Sequence, residues 1–180
     1  YDGKYIERDI NKAIHYLSLA ANQNYLLAQL ILGDIYQDGQ DIQRDINKAI
    51  HYYSLASNQN NPKAQYNLGY IYYDGKYIER DINKAIHYLS LAADQNYPEA
   101  QYNLGYIYYD GKYIQRDINK AIHYFSLAAD QNYPEAQLFL GYIYYYGKYI
   151  ERDINKAIHY YSLASNQNNP RAQLILGYIY

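Results

Sequence analysis

Cysteine, methionine, tryptophan, valine and threonine are all missing from this chain. Without cysteine there can be no disulfide and no thiolate metal site, and the redox compartment stays undecided. No stretch approaches the ~18 consecutive apolar residues that a membrane span needs, and no signal-peptide pattern opens the chain, so no membrane span is expected. Charge of one sign is missing too: 16 basic and 18 acidic residues are interleaved, and the formal net charge is −2. Such a surface has no basic stripe to follow a phosphate backbone, so nucleic acid is not an expected partner. Each glycine stands alone, ending or packing a helix rather than forming a phosphate-cradling loop. No cofactor is expected.

What is present is tyrosine and repetition. Tyrosine supplies 30 of the 180 residues. Residues 3–21 and 75–93 both read GKYIERDINKAIHYLSLAA, and near-copies begin at 39, 111 and 147. The period is 36, and 180 residues hold five periods with no insertion or deletion. A fixed period in the range of roughly 20–50 residues marks a solenoid or array, in which each unit packs on its neighbours. The whole of residues 1–180 is therefore expected to form one array. It lacks Met and starts and stops inside a repeat, which is the appearance of a segment of a longer chain.

One repeat reads as two helices. In DINKAIHYLSLAADQNY, residues 81–97, the apolar residues recur at helical spacing along one face. Asp81 is placed to cap the start, where its charge also suits the helix dipole. Asn96 falls where the helix should stop in a left-handed residue. Pro98 suits the first turn of the next helix, PEAQYNLGYIYYDG, because its missing N–H would be unpaired there anyway. Gly111 ends that second stretch. Proline recurs at 62, 98, 134 and 170, whereas the first copy has Leu26 and should begin its helix less sharply. The class is thus all-α, built from antiparallel helix pairs.

The pattern A-x-Y-x-L-G-x-I-Y-x-D-G, then R-D-x-x-K-A-x-x-Y, A-A and Q, resembles the Sel-one-like repeat of the tetratricopeptide superfamily. It is carried by Ala100, Leu104, Gly105, Tyr108, Gly111, Asp117, Lys120, Ala121, Tyr124 and Ala128 and their equivalents. Three positions depart from the family pattern: Tyr124 stands for Trp, Asn132 for Gly, and Leu127 for Lys, which puts an apolar residue near the outer surface. The resemblance implies a right-handed α-solenoid that works as a scaffold for protein complexes. Similar arrays are also appended to protein-kinase domains, which would lie outside these residues.

On a 100°-per-residue wheel Ala100, Leu104, Gly105, Ile107 and Tyr108 share the core face. Gly105 costs about 1 kcal/mol of helix propensity against Ala, which points to two backbones approaching closely. The opposite stripe is where the copies diverge. It begins with Leu27, Ile31, Asp34 and Asp38, then reads Lys63, Asn67, Tyr70, Asp74 and Glu99, Asn103, Tyr106, Asp110. The last copies have Glu135, Phe139, Tyr142, Tyr146 and Arg171, Ile175, Tyr178. In the superhelix this stripe would line the concave surface, with Tyr70, Tyr106, Tyr142 and Tyr178 as a row at the ~10 Å helix spacing. Tyrosine suits binding surfaces because it offers a large rigid contact and a hydroxyl.

His15, His51, His87, His123 and His159 recur on the other helix, away from its core of Ala85, Leu89 and Ala92. Neighbouring repeats hold them ~10 Å apart, too far to share a zinc ion that needs nitrogens at ~2.1 Å. Ser90 lies near His87 but has no pocket and no oxyanion donors, so no enzyme activity is expected. Arg80, Asp81 and Lys84 read as capping and local ion pairs. Two functions follow. The first is a non-enzymatic protein–protein interaction scaffold that holds a peptide or helix on the concave, Tyr-rich stripe. The second is a structural spacer or the regulatory tail of a larger protein. At the C-terminal end no helix follows to cover Leu174, Leu176 and Ile179, so that end should fray and self-associate.

Overall fold

The computed structural model describes residues 9–40 and 42–180. Among them are ten helices and no strand: α1 Ile10–Asn22, α2 Leu26–Asp38, α3 Ile46–Asn58, α4 Pro62–Asp74, α5 Ile82–Ala93, α6 Pro98–Asp110, α7 Ile118–Asp130, α8 Pro134–Tyr146, α9 Ile154–Asn166 and α10 Pro170–Ile179. Two compact units divide the chain, residues 1–80 with α1 to α4 and residues 81–180 with α5 to α10.

Each odd-numbered helix starts the same way. Asp9, Asp45, Asp81, Asp117 and Asp153 are extended, and each accepts the backbone N–H three residues on at 3.0 Å. The matching lysine lies 3.4–3.9 Å from the same carboxylate. Left-handed residues set the tight turn within each helix pair and also end the even-numbered helices α2 to α8. Asn24, Asn60, Asn96, Asn132 and Asn168 have φ between 59° and 66°. Asparagine tolerates that region and lets the chain reverse directly into the next helix. Gly111 closes α6 at φ 64°, as Gly75 closes α4 at 62°.

Leu26 departs from expectation. Helix α2 starts in the same register and runs the same 13 residues as the proline-started α4. The left-handed Asn24 ends the previous helix and sets the entry angle, so proline is a convenience at this position and not the signal.

The core is a strip of small and large residues. In the second unit Ala100, Leu104, Ala136 and Leu140 meet Ala121, Phe125, Ala128, Ala157 and Tyr161, all at 0% exposure. Burying one such leucine contributes about 1.5–3 kcal/mol. In the first unit Ala28 and Leu32 of α2 meet Ala49, Tyr53 and Ala56 of α3 in the same register. Gly105 corrects the backbone-approach expectation, because what sits over it is a ring. A Cβ there would lie 2.7 Å from Phe125, and one at Gly141 would lie 2.6 Å from Tyr161. The glycine gives up helix propensity to seat an aromatic of the following helix.

A buried polar chain runs beside this strip. Gln29, Gln101 and Gln137 are almost wholly buried, and each side-chain amide donates to a carbonyl at the end of the preceding helix, Ala21, Ala93 or Ala129, at 3.2–3.3 Å. Their oxygens accept from Gln59, Gln131 and Gln167 at 2.7–2.8 Å. Each amide therefore joins three successive helices and finds partners for its own buried polar atoms, adding a second donor to a carbonyl that already accepts from Asn24, Asn96 or Asn132.

Candidate protein-interaction face

The predicted stripe lies along the even-numbered helices, and none of its described residues is buried. Its character differs between the two units. In the first, Asp34 is the centre: Tyr53 donates its phenol to Asp34 at 2.6 Å, and Lys63 pairs with the other carboxylate oxygen at 2.9 Å. Asn67 also reaches the Tyr53 phenol. Burial, then the hydrogen bond and charge of Asp34, push the Tyr53 phenol far above its ordinary range. Beside this cluster a cleft of about 290 Å³ is lined by Asp38, Arg44, Tyr70, Asp74, Lys76 and Tyr77 among others. Four of its ten lining residues are charged, and Tyr70 stands on its wall at 43% exposure.

Arg44 illustrates what the Arg–Asp pair does. Its Nε donates to the Gln37 carbonyl at 2.7 Å and a terminal nitrogen to the Asp38 carbonyl at 2.9 Å, closing the end of α2. Its guanidinium also hydrogen-bonds the Tyr77 phenol and lies 4.4 Å from that ring. Arg80 and Arg116 repeat the two carbonyl bonds at the ends of α4 and α6. Arginine therefore caps the helix before it and aspartate the helix after it. Two of the Arg80 guanidinium nitrogens are thus engaged with carbonyls of the helix before it.

The second unit replaces these polar contacts with rings. Phe139, expected on the outward stripe, is half-buried instead: it stacks on Phe125 at 5.2 Å and meets Tyr102, Tyr106 and Tyr109 at 5.8–6.1 Å. Phe139, one turn into α8, leans toward the preceding repeat, where it finds the Phe125 ring seated over Gly105. Beside it opens a cleft of about 400 Å³ lined by Tyr106, Tyr109, Leu138, Phe139, Tyr142, Arg171 and Ile175. Tyr142 is 42% exposed, and Tyr146 packs against it at 4.5 Å. Burial pushes the Tyr102 phenol, under the Phe139 ring, up to about 12.

The cleft of the second unit thus gathers Tyr106, Phe139 and Tyr142. Glu99, Asn103, Asp110, Glu135, Tyr146 and Tyr178 do not line it, and Tyr178 stands 78% exposed near the chain end. Tyr109 and Leu138 were missed by the wheel. Both positions change between copies, 109 standing where the first copy has Gln37 and 138 where others have Tyr66 and Tyr102, so variation among copies would have found them. The histidines are exposed, and those at 51, 87, 123 and 159 lie edge-on to the following tyrosine at 5.1–5.2 Å. Ser90 hydrogen-bonds the Tyr124 phenol of the next repeat. Among the described residues no group of three His, Asp or Glu could hold a metal ion, and no helix is long and apolar enough to cross a membrane.

The family model of the Sel1 repeat matches residues 1–25, 26–61, 62–97, 98–133 and 134–169. The chain belongs to the Sel1 repeat family. A Sel1 repeat protein from Oxalobacter formigenes is 32% identical, with TM-score 0.83, over 99% of this chain and 73% of its own length. The protective antigen c5321 of uropathogenic Escherichia coli is 31% identical, with TM-score 0.86, over 92% of this chain, which spans only 36% of that structure. Helicobacter pylori cysteine rich protein B is 28% identical over 74% of this chain, with TM-score 0.55, although this chain has no cysteine. Among curated proteins none matches at a significant level. The described helices and the 36-residue period therefore belong to a Sel1 helical solenoid, and Sel1 repeat proteins are generally protein-interaction scaffolds.

Proposed function

We propose that this Sel1 array is a non-enzymatic scaffold that holds a peptide or helix of a protein partner on the concave face of its even-numbered helices. The principal seat is the aromatic cleft of the second unit. One observation carries the reading: Tyr106, Tyr109, Phe139 and Tyr142 converge with Leu138 and Ile175 on an open cleft whose one charged lining residue is Arg171. Rings that are already packed lose little rotamer freedom on binding, which is why aromatic residues dominate interface hot spots. Arg171 at the rim suits a partner with apolar or aromatic anchors followed by a carboxylate.

A random peptide library displayed on phage, panned on the immobilised chain, tests this. Selected peptides should be rich in aromatic and acidic residues. Changing Tyr106 and Tyr142 together to Ser should abolish their binding, on the scale of ~2 kcal/mol or more per anchor. Changing His51, His87 and His123 to Ser removes exposed rings from the other helices and should leave binding intact. Peptides that ignore the tyrosine variant but are lost with the histidine variant would place the working face on the odd-numbered helices.

A further inference from the structure

Two copies of the repeat pair a phenol on the odd helix with a cation ten residues on: Tyr53 with Lys63, and Tyr161 with Arg171. The other copies have neither in that register, reading Leu17 with Leu27, Leu89 with Glu99 and Phe125 with Glu135. In the first unit the two donors share one acid. Tyr53 donates to one Asp34 oxygen at 2.6 Å, and Lys63 meets the other at 2.9 Å. In the second unit both donors are kept and the acid is not, because Tyr142 holds the register of Asp34.

Both donors show the consequence. Tyr161 is 0% exposed, and its hydroxyl is buried without a hydrogen-bond partner. A buried hydroxyl left unpaired is costly, so in a folded protein it calls for a reason. The backbone N–H of Arg171 bonds Asn169, but its guanidinium has no hydrogen bond or ion pair among the described residues. That side chain lines the aromatic cleft with Tyr142 and Ile175. The chain end has no part in this. Helices α8 and α10 flank Tyr161 as α2 and α4 flank Tyr53, and Arg171 faces back toward α6 and α8 as Lys63 faces α2.

We propose that the second unit seats a side-chain carboxylate of the partner where the first unit has Asp34, held by the Tyr161 hydroxyl and the Arg171 guanidinium. The seat rests on the reading of the aromatic cleft as the partner face, and it specifies the anchor. The partner carries an aspartate or glutamate beside the ring that enters among Tyr106, Phe139 and Tyr142. Burial pushes the Tyr161 phenol up, so it stays protonated and able to donate. Tyr142 is 42% exposed and packs on Tyr146, and an exposed ring turns aside within nanoseconds to admit the acid. A carboxylate between a phenol and a guanidinium makes charge-assisted hydrogen bonds, stronger than those of a neutral amide in the same place.

Two synthetic peptides, acetyl-Phe-Asp-amide and acetyl-Phe-Asn-amide, titrated into the full chain by NMR test this. The aspartyl peptide should bind about tenfold tighter than its asparaginyl twin. Arg171→Gln and Tyr161→Phe, the latter copying Phe125, should each cut that preference and together remove it, with binding of the asparaginyl peptide unchanged. A parent that binds both peptides alike overturns the seat and leaves the cleft standing. A preference untouched by Tyr161→Phe overturns the seat as well. So does a parent that binds neither peptide, and the phage selection then judges the cleft by itself. Thermal melts of the protein alone give a second measurement. Tyr142→Asp rebuilds the arrangement around Asp34, so it should melt above Tyr142→Asn at neutral pH, and the gap should close when Tyr161→Phe is added. Equal melting of the two variants would show that an acid at this place reaches neither donor, and the seat would fall.

Discussion

The two units are made from nearly the same words, yet they face outward with opposite chemistry. In the first, Asp34 turns one position of the stripe into an acceptor for Tyr53 and a partner for Lys63, and Asn67 reaches the Tyr53 phenol. In the second, the same stripe position is tyrosine at 106 and 142, and the position before it is Phe139, so rings stack where the first unit has hydrogen bonds. A repeat backbone held by capping aspartates, left-handed asparagines and buried glutamines leaves its even-helix face free to vary. One substitution on that face decides whether a neighbouring phenol is satisfied: Tyr53 has its acceptor, whereas the buried Tyr161 hydroxyl finds no partner among the described residues.

The largest effect should come from alkali. Burial, together with Asp34, raises the Tyr53 phenol, and burial raises those of Tyr161 and Tyr102. A folded-state value above the ordinary ~10 means the contribution is complete below about pH 10 and is lost as pH rises toward the folded value. For Tyr53 the loss is about 1.4 kcal/mol per pH unit above pH 10. Tyrosinate absorbance should therefore appear in two steps, exposed rings first and these three together with loss of helix. Tyr53→Phe should change the second step for the first unit only.

Importing the first unit's residue into the second is the next test. Phe139→Asn, copying Asn67, removes a stacked ring and should lower stability by about 2–4 kcal/mol in a thermal melt. The reverse import, Asp34→Tyr, strips Tyr53 of its acceptor and should cost about 1–3 kcal/mol. Tyr161→Phe copies Phe125 and should be neutral or stabilising by up to about 1 kcal/mol, because it deletes an unpaired hydroxyl. Equal losses from Tyr161→Phe and Tyr53→Phe would erase the distinction between the units. Smallest of all is Lys63→Ala. Its exposed pair with Asp34 should contribute under ~1 kcal/mol and fade in added salt.

Periodicity, caps and turns were all legible in the sequence, because each depends on residues within a few positions of one another. Asp81, Asn96 and Gly111 act through local dihedrals and neighbouring N–H groups, so their roles could be read directly and agree with the structure. The core strip of Ala100, Leu104 and Leu89 followed from helical spacing alone. What spacing could not supply was the identity of partners arriving from another repeat. Gly105 was legible as a close approach, but that an aromatic ring fills it depends on Phe125, twenty residues on. The glutamine chain stayed hidden because a polar residue on a helix reads as solvent-facing until the neighbouring helix end is placed beside it. Phe139 looked outward on a wheel and turned inward because the preceding helix brings Phe125 beneath it. Local dihedral preference and helical spacing thus set the repeat and its caps, while the cleft and the amide chain arise only when successive helices stack, since their contacts join side chains about thirty residues apart.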